Sequence, residues 1–454
     1  MRIATALVLN AALLAVLLRW LGRQWQWAAP GGWRWVLGLG LALRLGVGVG
    51  RNVPLRLDAK YMSFVSDLVT EKLRAQPASA GQLLTQAVTI FPTPYIGDIV
   101  YQNSSNTWIL IKILALLNVA SLGHGWLNAL YLSVFAFVGC WQLVRVLADR
   151  FPHTPPGAGV LAFLFWPSVW FWATGISKEA VLLGSGAWLT ALVLSRLYGG
   201  PASQNQSGLV QGRWWVGLLG LAALHFAMRY FMALPLLAGL AGLALGRVLE
   251  CHRLLPRRWA AVVGLVAVLS LGIWVAPQVS VAFRPNKFIN QVVRVYSFEL
   301  EHSVGRPHFE YPRLRPTGES LAAHAPLAVA NALARPWLGE ATQPMYVLAS
   351  LENLALLLLM ALAIGAIWRG PRGHLPFGVV LALGIFCLAG LFLMGLTTPN
   401  LGSLNRYRSG LIPFLVLLLL QQGYGAAALR RLRLTRDPAS ARPTPDNQPH
   451  PATA

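Results

Sequence analysis

Leu57-Asp58-Ala59-Lys60-Tyr61 follows the second long apolar run of this 454-residue chain, where acids are scarce: 15 Asp and Glu stand against 37 Lys and Arg. A carboxylate within hydrogen-bond reach of a hydroxyl can take its proton as a general base. Glu179, in Ile176-Ser177-Lys178-Glu179, and Glu340, in Trp337-Leu338-Gly339-Glu340, are the other acids placed for that work. Lys178, Arg335 and the run Asn405-Arg406-Tyr407-Arg408 offer cations, and guanidinium forks onto phosphate. Tyr61, Asp98, Trp337 and Glu352 complete the set of candidate substrate contacts. Each has a plainer role: Asp58 as a helix cap, Asp98 beside Gly97 as a turn residue, and Lys178-Glu179 as charges in the headgroups. Glu340 and Glu352 could pair locally with an arginine, Arg335 could touch lipid headgroups, and Arg406 and Arg408 could snorkel from a helix end. His302, His308 and His324 fit no familiar ligand spacing, so no metal site is assigned. A divalent ion is compatible with the chemistry, but no residue pattern indicates one, and no cofactor is implied. Gly38, Gly40, Gly46 and Gly48 lie inside an apolar run with no strand before them, which reads as helix packing and excludes a nucleotide loop.

The elements that must position these groups are membrane helices. Apolar residues make up 56% of the chain and charged residues 11%, against roughly a quarter charged in soluble domains. The expected fold is an all-α polytopic membrane protein. A crossing needs about 17 to 25 apolar residues, and about eleven runs qualify: 3–18, 35–50, 126–147, 157–173, 180–197, 214–228, 231–249, 260–275, 345–367, 375–396 and 411–427. The first follows Arg2, lacks a small-residue cleavage site and reads as a retained helix. Arg19, Arg23 and Arg34, then Arg145 and Arg150, then Arg247, Arg253, Arg257 and Arg258, then Arg369 and Arg372, then Arg430 to Arg436 all fall on one side if the runs alternate. Short basic loops belong in the cytoplasm, which puts the N-terminus outside and the C-terminus inside. The apolar run 108–122, with Trp108 and Lys112, is short for a crossing and reads as a helix in the outer interface.

This leaves two long outer loops, about 51–125 and 277–344, each with an amphipathic helix. One begins at Asp58 with Tyr61, Val65, Leu68 and Val69 at helical spacing, and the other covers 320–335 despite Pro326. The domain reading is an extra N-terminal helix and turn over 1–33, a membrane domain over 34–436 and a disordered cytoplasmic tail over 437–454. Cys140, Cys251 and Cys387 lie in or beside apolar runs and suggest neither disulfides nor a metal cluster. The formal charge of +22 would suggest nucleic acid in a soluble protein. Here the basic loops answer to topology and to anionic membrane lipids, so nucleic acid is excluded as a partner.

Arg44 inside a membrane helix, Asp58 and Tyr61 as Asp-x-x-Tyr heading an external helix, Leu122-Gly123 ending an interfacial helix and Asn128 early in the next crossing form a series. It resembles the first third of the GT-C glycosyltransferases, polytopic enzymes such as the polyprenyl-phosphate-sugar transferases related to protein O-mannosyltransferases and aminoarabinose transferases. Phe165-Trp166-Pro167-Ser168 and Gly175-Ile176-Ser177-Lys178-Glu179 continue the likeness. Arg335-Pro336-Trp337-Leu338-Gly339-Glu340 before Glu352-Asn353, and Asn400-Leu401-Gly402 before Arg406-Tyr407-Arg408, resemble bacterial proteins of surface-polysaccharide synthesis. The resemblance implies transfer of a sugar from a polyprenyl-phosphate-linked donor to a glycan, lipid or protein acceptor on the outer face of the cytoplasmic membrane, with Asp58 as base. The chain departs from the pattern at Ala59, where many members carry a second acid, and in the additional first helix. Two other functions remain open. A surface-polysaccharide polymerase or ligase would lean on arginine and histidine in later loops, and a lipid or solute transporter would show internal repeats and broken helices.

Overall fold

The computed structural model describes residues 2–29, 32–51, 57–86, 88–93, 97–102, 105–199, 208–369 and 373–431. The proposed tail 437–454, together with Arg372, Arg433 and Arg436, lies outside them. Helices α1 (Arg2–Trp27) and α2 (Arg34–Gly50) lead to α3 (Leu57–Ala75) and the short α4 (Ala80–Thr85). An antiparallel hairpin follows, β1 (Val88–Thr93) against β2 (Gly97–Gln102), with Val88 opposite Gln102. Next come α5 (Asn106–Ser121), α6 (Gly125–Arg150), α7 (Pro156–Val160), a π turn over Leu161–Phe165, α8 (Pro167–Trp172) and α9 (Lys178–Leu197). The second half is α10 (Gly208–Met228), α11 (Tyr230–Cys251), α12 (Arg257–Val279), α13 (Pro285–Glu301), α14 (Gly318–Ala334), α15 (Pro344–Arg369), α16 (Phe377–Thr397), α17 (Leu401–Arg408), α18 (Ile412–Leu419) and α19 (Gly423–Arg431).

Among the described residues seven helices are long and apolar enough to cross a membrane: α1, α6, α9, α11, α12, α15 and, over its whole length, α16. The pair α18 and α19, bent by 91°, makes an eighth if it is one span. This is a multi-pass membrane protein, with fewer full-length spans than the eleven apolar runs suggest. The physical reasons are local. Helix α2 has only 17 residues and carries Arg34 and Arg44, while α10 is continuous but includes Gln211, Arg213 and His225. The run 157–173 breaks at Pro167, whose ring nitrogen has no proton for the carbonyl four residues back, that of Phe163. Trp166 is accordingly extended, at φ −66° and ψ 128°, as the residue before a proline tends to be.

Arg44 repairs that break. Its guanidinium is fully buried and donates to the Phe163 carbonyl at 3.0 Å and the Ala173 carbonyl at 2.8 Å, one on each side of α8. The internal arginine of the sequence series is therefore a clamp on a broken helix.

Helix α9 is central, with α6 packed against it through Gly139 and Gly184: a Cβ at Gly139 would strike the Gly184 backbone, and one at Gly184 would strike the Ala136 backbone and the Phe135 ring. Small residues allow such close approach in membrane bundles. By contrast α1 and α12 are peripheral, with Leu13, Val16, Val266, Leu271, Ile273 and Trp274 exposed, as faces turned to lipid would be. Helix α3 buries Met62, Val65 and Val69 on α5, whose Trp108, Leu110, Ile111 and Leu114 are completely buried. Helix α5 ends with Leu122 at φ 55° and Gly123 at φ +82°. A Cβ at Gly123 would lie 2.9 Å from Asp67 Oδ1, so glycine serves both the turn and the close approach of α3. The hairpin and α13 were not legible in the sequence, while residues 318–334 are helical with Pro326 inside.

Candidate functional site

Four chain segments distant in sequence meet through a row of alternating charges. Ser177 caps α9 by accepting from the Ala180 N–H at 3.1 Å, which fixes Glu179 in the first turn, where the helix dipole favours an anion. Asn400 caps α17 by accepting from the N–H groups of Gly402 and Ser403 at 3.0 Å each, and its amide donates to Ser303 at 3.2 Å. Arg406 lies on the α17 face turned to α9 and α3. Its Nη1 donates to Asp58 at 3.0 Å and its Nε to Glu179 at 3.0 Å. Glu179 completes the row by accepting from Arg229 Nη2 at 2.8 Å.

The two carboxylates differ in what they can do. Glu179 is wholly buried, and each oxygen is engaged by a guanidinium, the pairing that a buried carboxylate requires. The Asp58 side chain is 73% exposed: one oxygen is held by Arg406 and the group remains open to a substrate hydroxyl. The row is thus a structural keystone at Glu179 and a presented carboxylate at Asp58.

Two cavities flank it. A small one of about 110 Å³ is lined by Arg51, Asp58, Trp172, Thr174, Ser177 and Arg406. A larger one of about 280 Å³ is lined by Lys178, Arg229, Phe231, Phe288, Glu299 and Tyr407, among others. Trp172 also borders an apolar cleft of about 460 Å³ between α8 and α15, with Leu348, Leu351, Glu352 and Asn405 in its wall. Leu348 and Leu351 are exposed, so the cleft opens sideways along α15.

The remaining candidates fall into two groups. Lys178 joins the site: it is half-buried and donates to Asn106 Oδ1 at 2.8 Å and Thr107 Oγ1 at 2.6 Å. Tyr407 joins it by carrying the Arg229 guanidinium 3.8 Å above its ring centroid, and burial raises the pKa of its phenol. Arg408 is a correction. Residues two apart on a helix point about 200° apart, so Arg408 faces away from Arg406. It is buried, donating to the carbonyls of Ala332 and Arg335 at 3.2 and 2.9 Å, and to Asn353 and Asn405.

Arg335 and Glu340 are corrected too, because they pair with each other at 2.9 Å. Glu340 also accepts from the Trp337 N–H at 2.7 Å, leaving the Trp337 ring half exposed. The arginine cluster expected at Arg335, Arg406 and Arg408 does not form, and of these three only Arg406 lines the small cavity, together with Arg51. Tyr61 accepts from the Tyr101 hydroxyl at 2.5 Å, tying α3 to the hairpin. Asp98 lies on β2 opposite Pro92, and its side chain is outside the described residues. Among the described residues no group of three or more His, Cys, Asp or Glu could hold a metal ion.

Two contributors went unread in the sequence. Arg229 occupies the two-residue turn between the runs 214–228 and 231–249, and a lone arginine on the non-cytoplasmic side by the same alternation was a usable signal. Glu299 lies on α13, which has no strong sequence signature; its carboxyl is half-buried, and burial raises its pKa above the usual carboxylate range. Comparison with family models, with curated proteins and with solved structures returned no match.

Proposed function

We propose that this chain is a membrane glycosyltransferase of the GT-C kind, moving a sugar from a polyprenyl-phosphate-linked donor to an acceptor hydroxyl on the outer face of the cytoplasmic membrane. The observation that carries this reading is Asp58, an open carboxylate held by Arg406 at the edge of a cavity while Glu179 and Glu340 are each engaged in ion pairs. In this reading Asp58 takes the acceptor proton as the acceptor oxygen bonds to the anomeric carbon. The bond from that carbon to the phosphate oxygen breaks, and the phosphate leaves with the electron pair. Arg406 orients Asp58, and fixed cations stabilise the charge growing on the leaving group. The full topology belongs to the same proposal: eleven crossings counting the short and broken ones, α3 and α13 to α14 outside, N-terminus out and C-terminus in.

Asp58→Asn tests it. Asn keeps the shape and an oxygen for Arg406 but lacks the basicity, so transfer from a lipid-linked sugar in nanodiscs should fall about 100-fold or more, with thermal stability near wild type. Glu71→Gln, at an exposed position on the same helix, should leave transfer unchanged. Equal activity in both variants would remove Asp58 as the base.

A further inference from the structure

The 280 Å³ cavity beyond Glu179 has an asymmetric lining. At one end stand Lys178 and Arg229. Lys178 Nζ has three protons and two neutral partners, Asn106 and Thr107; no described acid pairs with it. Arg229 is 5% exposed; one terminal nitrogen serves Glu179, and the other, Nη1, is buried with no hydrogen-bond partner. A buried donor of a charged group left without an acceptor is costly, and an oxyanion would satisfy both cations. Elsewhere in the lining are hydroxyl and amide groups, Gln291, Thr397 and Thr398, with the Glu299 carboxylate. Glu299 reaches neither cation within ion-pair distance, so it does not fill the anion position and is available to accept from ligand hydroxyls. Phe231, Phe288, Val292 and Val295 form the apolar wall.

We infer that this cavity binds the glycosyl-phosphate head of a lipid, with phosphate on Lys178 and Arg229 and sugar hydroxyls on Glu299 and its polar neighbours. The assignment of the head to a sugar donor rests on the proposed glycosyl transfer; the anion site does not. Because Arg229 and Arg406 share Glu179, the phosphate would lie across the charge row from Asp58. That separation suits a displacement in which base and leaving group occupy opposite sides of the reacting carbon.

Binding of farnesyl phosphate to the purified protein in nanodiscs, followed by native mass spectrometry or calorimetry, tests the site without turnover. Lys178→Gln should weaken it by about 10-fold or more, as expected for a lost charge-assisted hydrogen bond, and Lys178→Arg should recover most of it. Glu299→Gln should bind farnesyl phosphate at least as well as wild type, since it removes a carboxylate and no cation, while binding glycosylated lipid phosphate less well. Neutral farnesol should not distinguish Lys178→Gln from wild type. Equal farnesyl phosphate affinity in wild type and Lys178→Gln would overturn the anion site. Competition by phosphatidylglycerol as strong as by farnesyl phosphate would identify a membrane phospholipid site and overturn the donor assignment. Asp58→Asn should bind farnesyl phosphate like wild type. An unchanged Lys178→Gln affinity with transfer lost in Asp58→Asn would therefore reject this cavity and leave the base in place, and the converse result would do the opposite.

Discussion

Arg406 and Arg408 are separated by one residue, and that spacing gives them opposite duties. On the helix Leu401–Arg408 one reaches Asp58 and Glu179, and the other ties carbonyls between α14 and α15. Asp67 shows how burial alone changes a side chain. It is half-buried, accepts from Asn118 Nδ2 at 2.9 Å, and has its pKa pushed up to about 6, first by desolvation and then by Glu71. A carboxyl with a raised folded-state pKa folds more favourably when protonated, so its contribution is present below the ordinary value near 4 and is lost as pH rises through about 6. In Asp67→Asn, whose amide stays neutral, melting temperature should gain on wild type between pH 4 and 6, with a constant difference above that. A difference that does not change with pH would contradict the burial of a titrating group at this position.

At the scale of elements, the break at Pro167 and its repair by Arg44 are one device. The proline deprives the Phe163 carbonyl of its helical donor, α8 ends at the open Ala173 carbonyl, and a single guanidinium from α2 serves both. Arg44→Met fills similar volume but leaves two buried carbonyls without donors, at about 1 to 3 kcal/mol each. The expected outcome is a loss of several degrees in melting temperature in detergent. Because α8 also carries Trp172 in the wall of the small cavity, transfer should weaken in the same variant at temperatures where it remains folded. A variant as stable as wild type would show that water or another group replaces the clamp.

At the scale of the whole molecule, orientation is open to a thiol test. Cys140 and Cys387 are buried and Cys251 is exposed at the end of α11, on the side assigned to the cytoplasm by the arginine-rich loops. In intact cells a membrane-impermeant maleimide should leave the wild-type protein unlabelled and should label a Val304→Cys variant, whose position is 82% exposed on the opposite side. After permeabilisation Cys251 should react. Labelling of Cys251 in intact cells would invert the topology and the site with it.

The sequence by itself determined the class of molecule. Long apolar runs with few charges describe membrane helices, and helical spacing from Asp58 through Val69 marks α3. The scarcity of acids also singled out Asp58 and Glu179 as candidates, and the run Asn405-Arg406-Tyr407-Arg408 singled out Arg406. It did not determine how many runs are whole spans, because a single proline or a buried arginine breaks or clamps a helix within a run that stays predominantly apolar. Partner choice was the larger uncertainty. Arg335, Arg406 and Arg408 look alike as text, yet two of them are occupied by Glu340 and by backbone carbonyls. Only tertiary structure decided this, because ion pairs form between segments as far apart as Asp58 and Arg406, and burial makes the pairing of Glu179 obligatory rather than optional. Arg229 entered the site for the same reason: the buried carboxylate of Glu179 required two guanidinium groups, and the fold brought the second from the one-residue break between α10 and α11.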